Sequence, residues 1–483
     1  MGRIRTIFYL LKNLTGFYYF YPMKTASLAL LLSFSFLFSC KKESFINSPD
    51  AKVTITADSL TYDTVFVATG SVTQSFKIIN ENNQKLRISS IKLLGGNSSS
   101  YKMNVDGVPT TEATNLEIEA NDSVYVFVQV NVNPNTANLP FIIKDTVQIN
   151  YNGNERLVPL QAWGQNAHFF RDKEISTDET WTNDLPYVIL GYLHVQENVQ
   201  LTIEKGCRIY IHGTAPIIID GILQANGLKD TVDRVWFQGD RLDLPYKDYP
   251  ASWPGIYFSA TSKDNLLNYV MIKNAFQSIA VEEPSPNMNP KLTLTQCVID
   301  NSYDAGIIAF NSSVTAINCL ISNCGKNILL IKGGQYRFTH CTVATYSNVF
   351  ITHKDPVLTV LNYDAANATA ALDAVFRNCI FWGENGLVEN EVVVDKKGTT
   401  PFTVNFDHNL WKVETAPLNI NSTQIINNQP PQFDSIDVGN RYYDFRLKTT
   451  SPAKDKGVGT TITTDLDGKL RPVGLPDLGA FEK

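Results

Sequence analysis

The sequence lacks the groups on which most metal, nucleophile and phosphate chemistry is built. Its six histidines, His168, His194, His212, His340, His353 and His408, show no His-Glu-x-x-His spacing that would set a zinc site on one helix face. There is no Gly-x-Ser-x-Gly elbow, no Gly-rich phosphate loop and no Cys-x-x-Cys pair. Charge is sparse, 18% of residues, with 47 acids against 41 bases. That balance argues against nucleic acid or anionic headgroups as main partners. It argues equally against polyanionic sugars, unless a local basic patch or a cation intervenes. Long apolar runs are also scarce. From Ser27 to Ser39 the chain holds Leu, Phe, Ala and Ser alone. These 13 residues are too short to cross a hydrocarbon core of about 30 Å but suit the core of a signal peptide.

What is present is a ruler. Cys297, Cys319 and Cys341 follow one another at 22 residues, and Cys379 follows after 38, as if one turn carried 16 extra. Their surroundings repeat as Thr295-Gln296-Cys297-Val298-Ile299, Ile317-Asn318-Cys319-Leu320-Ile321 and Thr339-His340-Cys341-Thr342-Val343. Such a period means turns that stack and bury one continuous core. Three short strands and three corners fit 22 residues, each strand pairing in parallel with the turns above and below. The inward parity switches between Leu292/Leu294 and Cys297/Ile299. Gln296, Asn318, His340 and Asn378 therefore mark one corner, and Asn301 and Asn323 the next, with Asn suited to a left-handed backbone. The cysteines read as small buried hydrophobes. Cys319 and Cys324 are the one nearby pair in which a bridge deserves a check.

The chain divides by composition. Residues 1–39 carry Arg3, Arg5, Lys12 and Lys24 and no acid, so their removal leaves 37 bases against 47 acids. Met23-Lys24 makes the more conventional start of a signal peptide. Residues 40–52 read as a tether. Residues 53–167 alternate as about seven short strands between breakers such as Gly95-Gly96 and Asn133-Pro134, which predicts a β-sandwich. Residues 168–430 hold the repeat, and 431–483 the closing segment that should hide the last open edge.

Several of these runs carry a resemblance. Leu37-Phe38-Ser39-Cys40 resembles the lipobox of bacterial lipoproteins, with Phe38 bulkier than usual. Lys41-Lys42-Glu43-Ser44 resembles the export signal of Bacteroidota surface lipoproteins. Both imply acylation of Cys40 and a lipid-anchored outer-membrane lipoprotein, on the periplasmic face or at the cell surface. Leu201-Thr202-Ile203-Glu204-Lys205-Gly206 and Gly221-Ile222-Leu223-Gln224-Ala225-Asn226-Gly227 resemble the first turns of right-handed parallel β-helices of the pectate-lyase-like class. Residues 53–167 resemble the Ig-like modules that precede such repeats, without a Cys–Trp–Cys core. Asp477-Leu478-Gly479-Ala480-Phe481-Glu482 resembles the terminal signature of many secreted bacterial β-helices. The expected fold is thus all-β: an Ig-like sandwich, a right-handed parallel β-helix and a C-terminal cap.

Sugar-cleaving β-helices need paired carboxylates, or a base with charge stabilisation. Stepping by 22 sets Asp300 beside Ser322 and Ala344, and Asp304 beside Lys326 and Asn348, so no two acids stack. Phe310, Lys332 and Lys354 share one phase, and reading Ile307/Ala309 and Leu329/Ile331 as inward turns them outward, near Arg337. The loop 240–253 adds Tyr246, Tyr249 and Trp253, whose rings suit sugar C–H faces or packing on the coil. Asp-Ser/Thr followed by an aliphatic residue occurs at Ser59, Thr64, Ser123, Thr146, Thr231 and Ser435. The pattern resembles the O-glycosylation acceptor of Bacteroidota exported proteins and equally marks turn-to-strand transitions. No pattern calls for a cofactor; the C-terminal Asp cluster is where Ca²⁺ would be sought. The leading expectation is a non-catalytic envelope lipoprotein presenting its coil to a polysaccharide or a surface protein. The alternatives are a polysaccharide lyase or glycoside hydrolase using the irregular 344–378 turn, and a purely structural envelope protein.

Overall fold

A computed structural model describes residues 44–66, 73–131, 141–472 and 474–483. Cys40 and the side chain of Thr64 lie outside the described residues. The chain is all-β. Near the N-terminus a six-stranded and a five-stranded sheet enclose one core, built by alternation in strands such as Ser123–Val130, where Val124, Val126, Val128 and Val130 are buried.

From His168 onward 26 strands form one sheet paired in parallel throughout, consistent with a β-helix. Each strand pairs chiefly with the third one along, giving three stacks. Leu292–Thr295 belongs to the first, Val298–Asp300 to the second and Gln277–Glu282 to the third. Inward side chains form rows down the core. Phe338, Phe376 and Phe406 stack at 5.4 and 4.8 Å, and Cys297, Cys319, Cys341 and Cys379 form another fully buried row. All six described cysteines are free thiols, Cys319 and Cys324 included. Burial pushes the thiols of Cys297, Cys319 and Cys341 well up, so they pack as hydrophobes.

The corner residues are where the period puts them. Gln296, Asn318, His340 and Asn378 have φ of +50°, +51°, +54° and +54°, and Asn301 and Asn323 +61° and +52°. In the third stack the ruler slips. Ile307 pairs with Ile328, 21 residues on, and a bulge after Phe310 restores 22 by Ser312 and Gly334. Ile328 and Leu330 therefore point inward, and Leu329 and Ile331 outward, against the expected parity. The extra residues of the long turn are also split. Leu330 pairs with Val360, 30 on, and Tyr336 with Ala374, 38 on, so half enter before the third-stack strand and half after it.

Residues 431–483 lie along the side of the coil rather than over its end. Phe433, Phe445, Leu447, Leu478 and Phe481 cover the outward apolar row Val298, Leu320, Ile380 and Leu410 of the second stack. The corner residues before the cysteines are the docking posts. Asn318 donates to Thr464 O at 2.6 Å, and Asn378 donates to Val458 O at 2.8 Å while accepting from its N–H at 2.9 Å. Buried Arg471 binds Glu482 at 2.6 Å and Asn318 at 3.0 Å. Asp465 and Asp477 spend their oxygens on the backbone N–H groups of Lys469, Glu482, Asp455 and Lys483. The Asp cluster is thus occupied in fastening this segment.

Candidate functional site

Beside the covered row, the second stack leaves a parallel row open. Inward Ile209, Phe237, Ile272 and Ile299 force their neighbours outward, so Tyr210, Gln238, Lys273 and Asp300 face solvent. With Trp236 they floor a groove of 430 Å³. One wall is the loop after Asp240, held by the corner amides: Asn274 donates to Lys247 O at 2.7 Å and Asn301 to Asp248 O at 3.0 Å. The other wall is the turn between the antiparallel strands Phe433–Asp437 and Tyr442–Leu447, whose Arg441 bonds Asp248 at 2.8 Å across the groove.

The groove is polar, and four of its five charged side chains form two ion pairs, Lys273 with Asp300 and Arg441 with Asp248. Lys273 lies 3.6 Å from Asp300, whose other oxygen accepts from Ser322 at 2.7 Å and Asn323 at 3.2 Å. Burial raises the pKa of the Tyr443 hydroxyl. Burial likewise raises Tyr210, opposed by the Arg208 charge. The site is lined by the aromatic side chains of Trp236, whose ring carries the Arg208 guanidinium at 5.3 Å, and Tyr210, with hydrogen-bonding groups at Lys273, Asp300 and the corner asparagines. Each carboxylate of the groove lies beside a cation, Asp248 at 2.8 Å from Arg441 and Asp300 at 3.6 Å from Lys273.

The residues singled out from the sequence scatter around this groove. Tyr246 stacks with Arg241 at 3.9 Å, and Tyr249 packs on Phe350 at 4.9 Å. Trp253 is fully buried with its indole N–H on Lys273 O at 2.8 Å, so it braces the loop and no ligand reaches it. Lys332 sits at the bulge within the strand Lys326–Thr339, with φ +63°, 3.6 Å from Asp364. Arg337 pairs with Asp373 on the first stack. Lys354 lines a second cavity, of 240 Å³. The three bases are therefore not brought together. Ser59 and Thr231 are exposed, and Ser123, Thr146 and Ser435 are half-buried.

Two clusters went unread in the sequence. His194 bridges Glu174 at 2.8 Å and Asp220 at 2.9 Å across consecutive turns of the third stack. Burial works against its proton, but the Asp220 hydrogen bond and the Glu174 charge prevail and raise its pKa. In the irregular turn, His353 and Glu391 pair at 2.8 Å and are both buried, which pins the insertion rather than opening a site. Spacing could not reveal the groove floor, since its turns measure 28, 35 and 27 residues, between stretches of the second stack that keep 22.

No family model matches the chain, and no curated protein matches it. Among solved structures, a family 123 glycoside hydrolase from Clostridium perfringens, studied for glycolipid glycan hydrolysis, aligns at 10% identity with a TM-score of 0.18. The alignment covers 27% of this chain and 30% of that one, and a likeness of this size carries no argument.

Proposed function

We propose that the chain is a bacterial cell-envelope lipoprotein, anchored through Cys40, whose right-handed β-helix holds a glycan in the second-stack groove without cleaving it. In this reading an Ig-like sandwich, residues 53–167, lifts the coil from the membrane, and residues 431–483 close its flank. The observation that carries it is the groove itself. The aromatic side chains of Trp236 and Tyr210 line it, the kind of group on which sugar C–H surfaces stack, and paired charges and amides converge beside them. Its two carboxylates are each tied to a cation, as hydroxyl acceptors would be.

The test is a polysaccharide panel offered to the purified protein. Binding is read by calorimetry, and cleavage by new reducing ends and by the ultraviolet absorbance of unsaturated uronates. Retention without cleavage is expected. Cleavage of any polymer would overturn the non-catalytic role, and retention of none would overturn the glycan reading in favour of a protein partner.

A further inference from the structure

The smaller cavity adjoins the groove across a ridge made by the insertion. Asn348 lines the groove, whereas Phe350, two residues on, lines the smaller cavity. The Phe350 ring is held 4.9 Å from Tyr249 on one side and 4.9 Å from the Arg441 guanidinium on the other. Beyond the ridge, Phe276 and Tyr303 stand on consecutive turns with centroids 6.0 Å apart and planes within 24°. They are 41% and 53% exposed, an unusual outlay of apolar ring surface at the mouth of a concave site. Behind them Asp304 holds Lys326 at 2.8 Å and accepts from Gln277 at 2.7 Å.

Charge decides the ligand class. The two cavities together are lined by five basic and four acidic side chains, namely Lys247, Lys273, Lys326, Lys354 and Arg441 against Asp248, Asp300, Asp304 and Asp355. Three of the bases are already matched by ion pairs. A uronate polymer would find only Lys247 and Lys354 outside those pairs and would elsewhere compete with the carboxylates, whereas neutral hydroxyls add to the existing donors and acceptors. Resting on the glycan reading above, we infer that the ligand is a neutral oligosaccharide spanning both cavities over Phe350, with Phe276 and Tyr303 as a second ring-stacking subsite.

The experiment titrates the full chain calorimetrically with neutral oligosaccharides of gluco-, manno- and xylo-type, from disaccharide to octasaccharide, and with a matching oligogalacturonate series. Affinity for one neutral series should climb with length. The double variant Phe276→Ala/Tyr303→Ala should lower affinity for the longest member by roughly tenfold, erasing most of the length dependence. Both rings are surface groups, and an unchanged far-ultraviolet spectrum certifies the fold. Full length dependence in the double variant, or tighter binding of the uronates, would overturn the second subsite or the neutral class respectively. A wild-type chain that binds no sugar of any length would instead sink the glycan reading beneath it.

Discussion

His340→Asn tests the corner and its docked segment together. His340 is fully buried, and burial first, then the charge of Arg471, pushes its pKa from 6.5 down to about 3. The folded chain therefore keeps it neutral while the unfolded chain takes up a proton below pH 6.5. The stability that goes with the neutral ring is whole above pH 6.5 and drains away as pH falls toward about 3. At pH 5, about 1.5 pH units below the free imidazole's 6.5, protonation favours the unfolded form by about 2 kcal/mol. Asn is the residue at the same corner one turn to either side, where Asn318 and Asn378 have φ of +51° and +54°. It fits the backbone and does not titrate. Glu482 acts in the opposite sense, since burial and then the Asp477 charge raise it to about 6, so its contribution is present in acid and lost as pH rises through that value. It is common to both proteins and cancels in their comparison. Urea unfolding at pH 7 and pH 5 should show the wild type losing about 2 kcal/mol more than the variant. Parallel pH dependence in the two proteins would refute the reasoning.

Arg471→Met leaves Glu482 and the neighbouring carboxylates buried without their cation, and should cost about 3–5 kcal/mol. Limited proteolysis should then cut first within 431–483; a variant as resistant as wild type would contradict that role. Gly383→Ala puts a methyl 2.1 Å from Glu391 and 2.2 Å from His353, both buried, whereas Gly474→Ala meets nothing within 4 Å. Amide exchange around residues 348–357 should rise in the first variant alone, and equal behaviour would mean the pair does not pin the insertion. Cys207, Cys297, Cys319, Cys324, Cys341 and Cys379 are all buried, and should resist alkylation in the native protein and all react once it is unfolded. A missing label after unfolding without reductant would reveal a disulfide.

The parts of this architecture written locally were legible. The cysteine phase marks the inward row, and the polar residue before each cysteine marks a left-handed corner, because both depend on one turn and its neighbours. Parity failed at Leu329 and Ile331, where one residue fewer and a compensating bulge preserve the overall count while inverting the strand. The flank segment showed itself as a separate unit, but its seat did not. Its contacts join residues as remote as Asn318 and Thr464, or Arg234 and Leu466, and obey no period. The groove was hidden for the same reason. It gathers Tyr210, Trp236, Lys273 and Asp300 from turns of unequal length, under a wall contributed by Arg441 and Tyr443. Tyr246, Tyr249 and Trp253 drew attention to the right loop, although Trp253 serves it from inside the core.

The central claim is that the second-stack groove holds a glycan and leaves it whole. Equimolar protein and the tightest-binding oligosaccharide, incubated for days and then analysed by mass spectrometry, test it most directly. The account predicts full recovery of the intact sugar, with retention lost in Trp236→Ala. Shorter or unsaturated products that disappear in Asp300→Asn would contradict it and make the groove an active site.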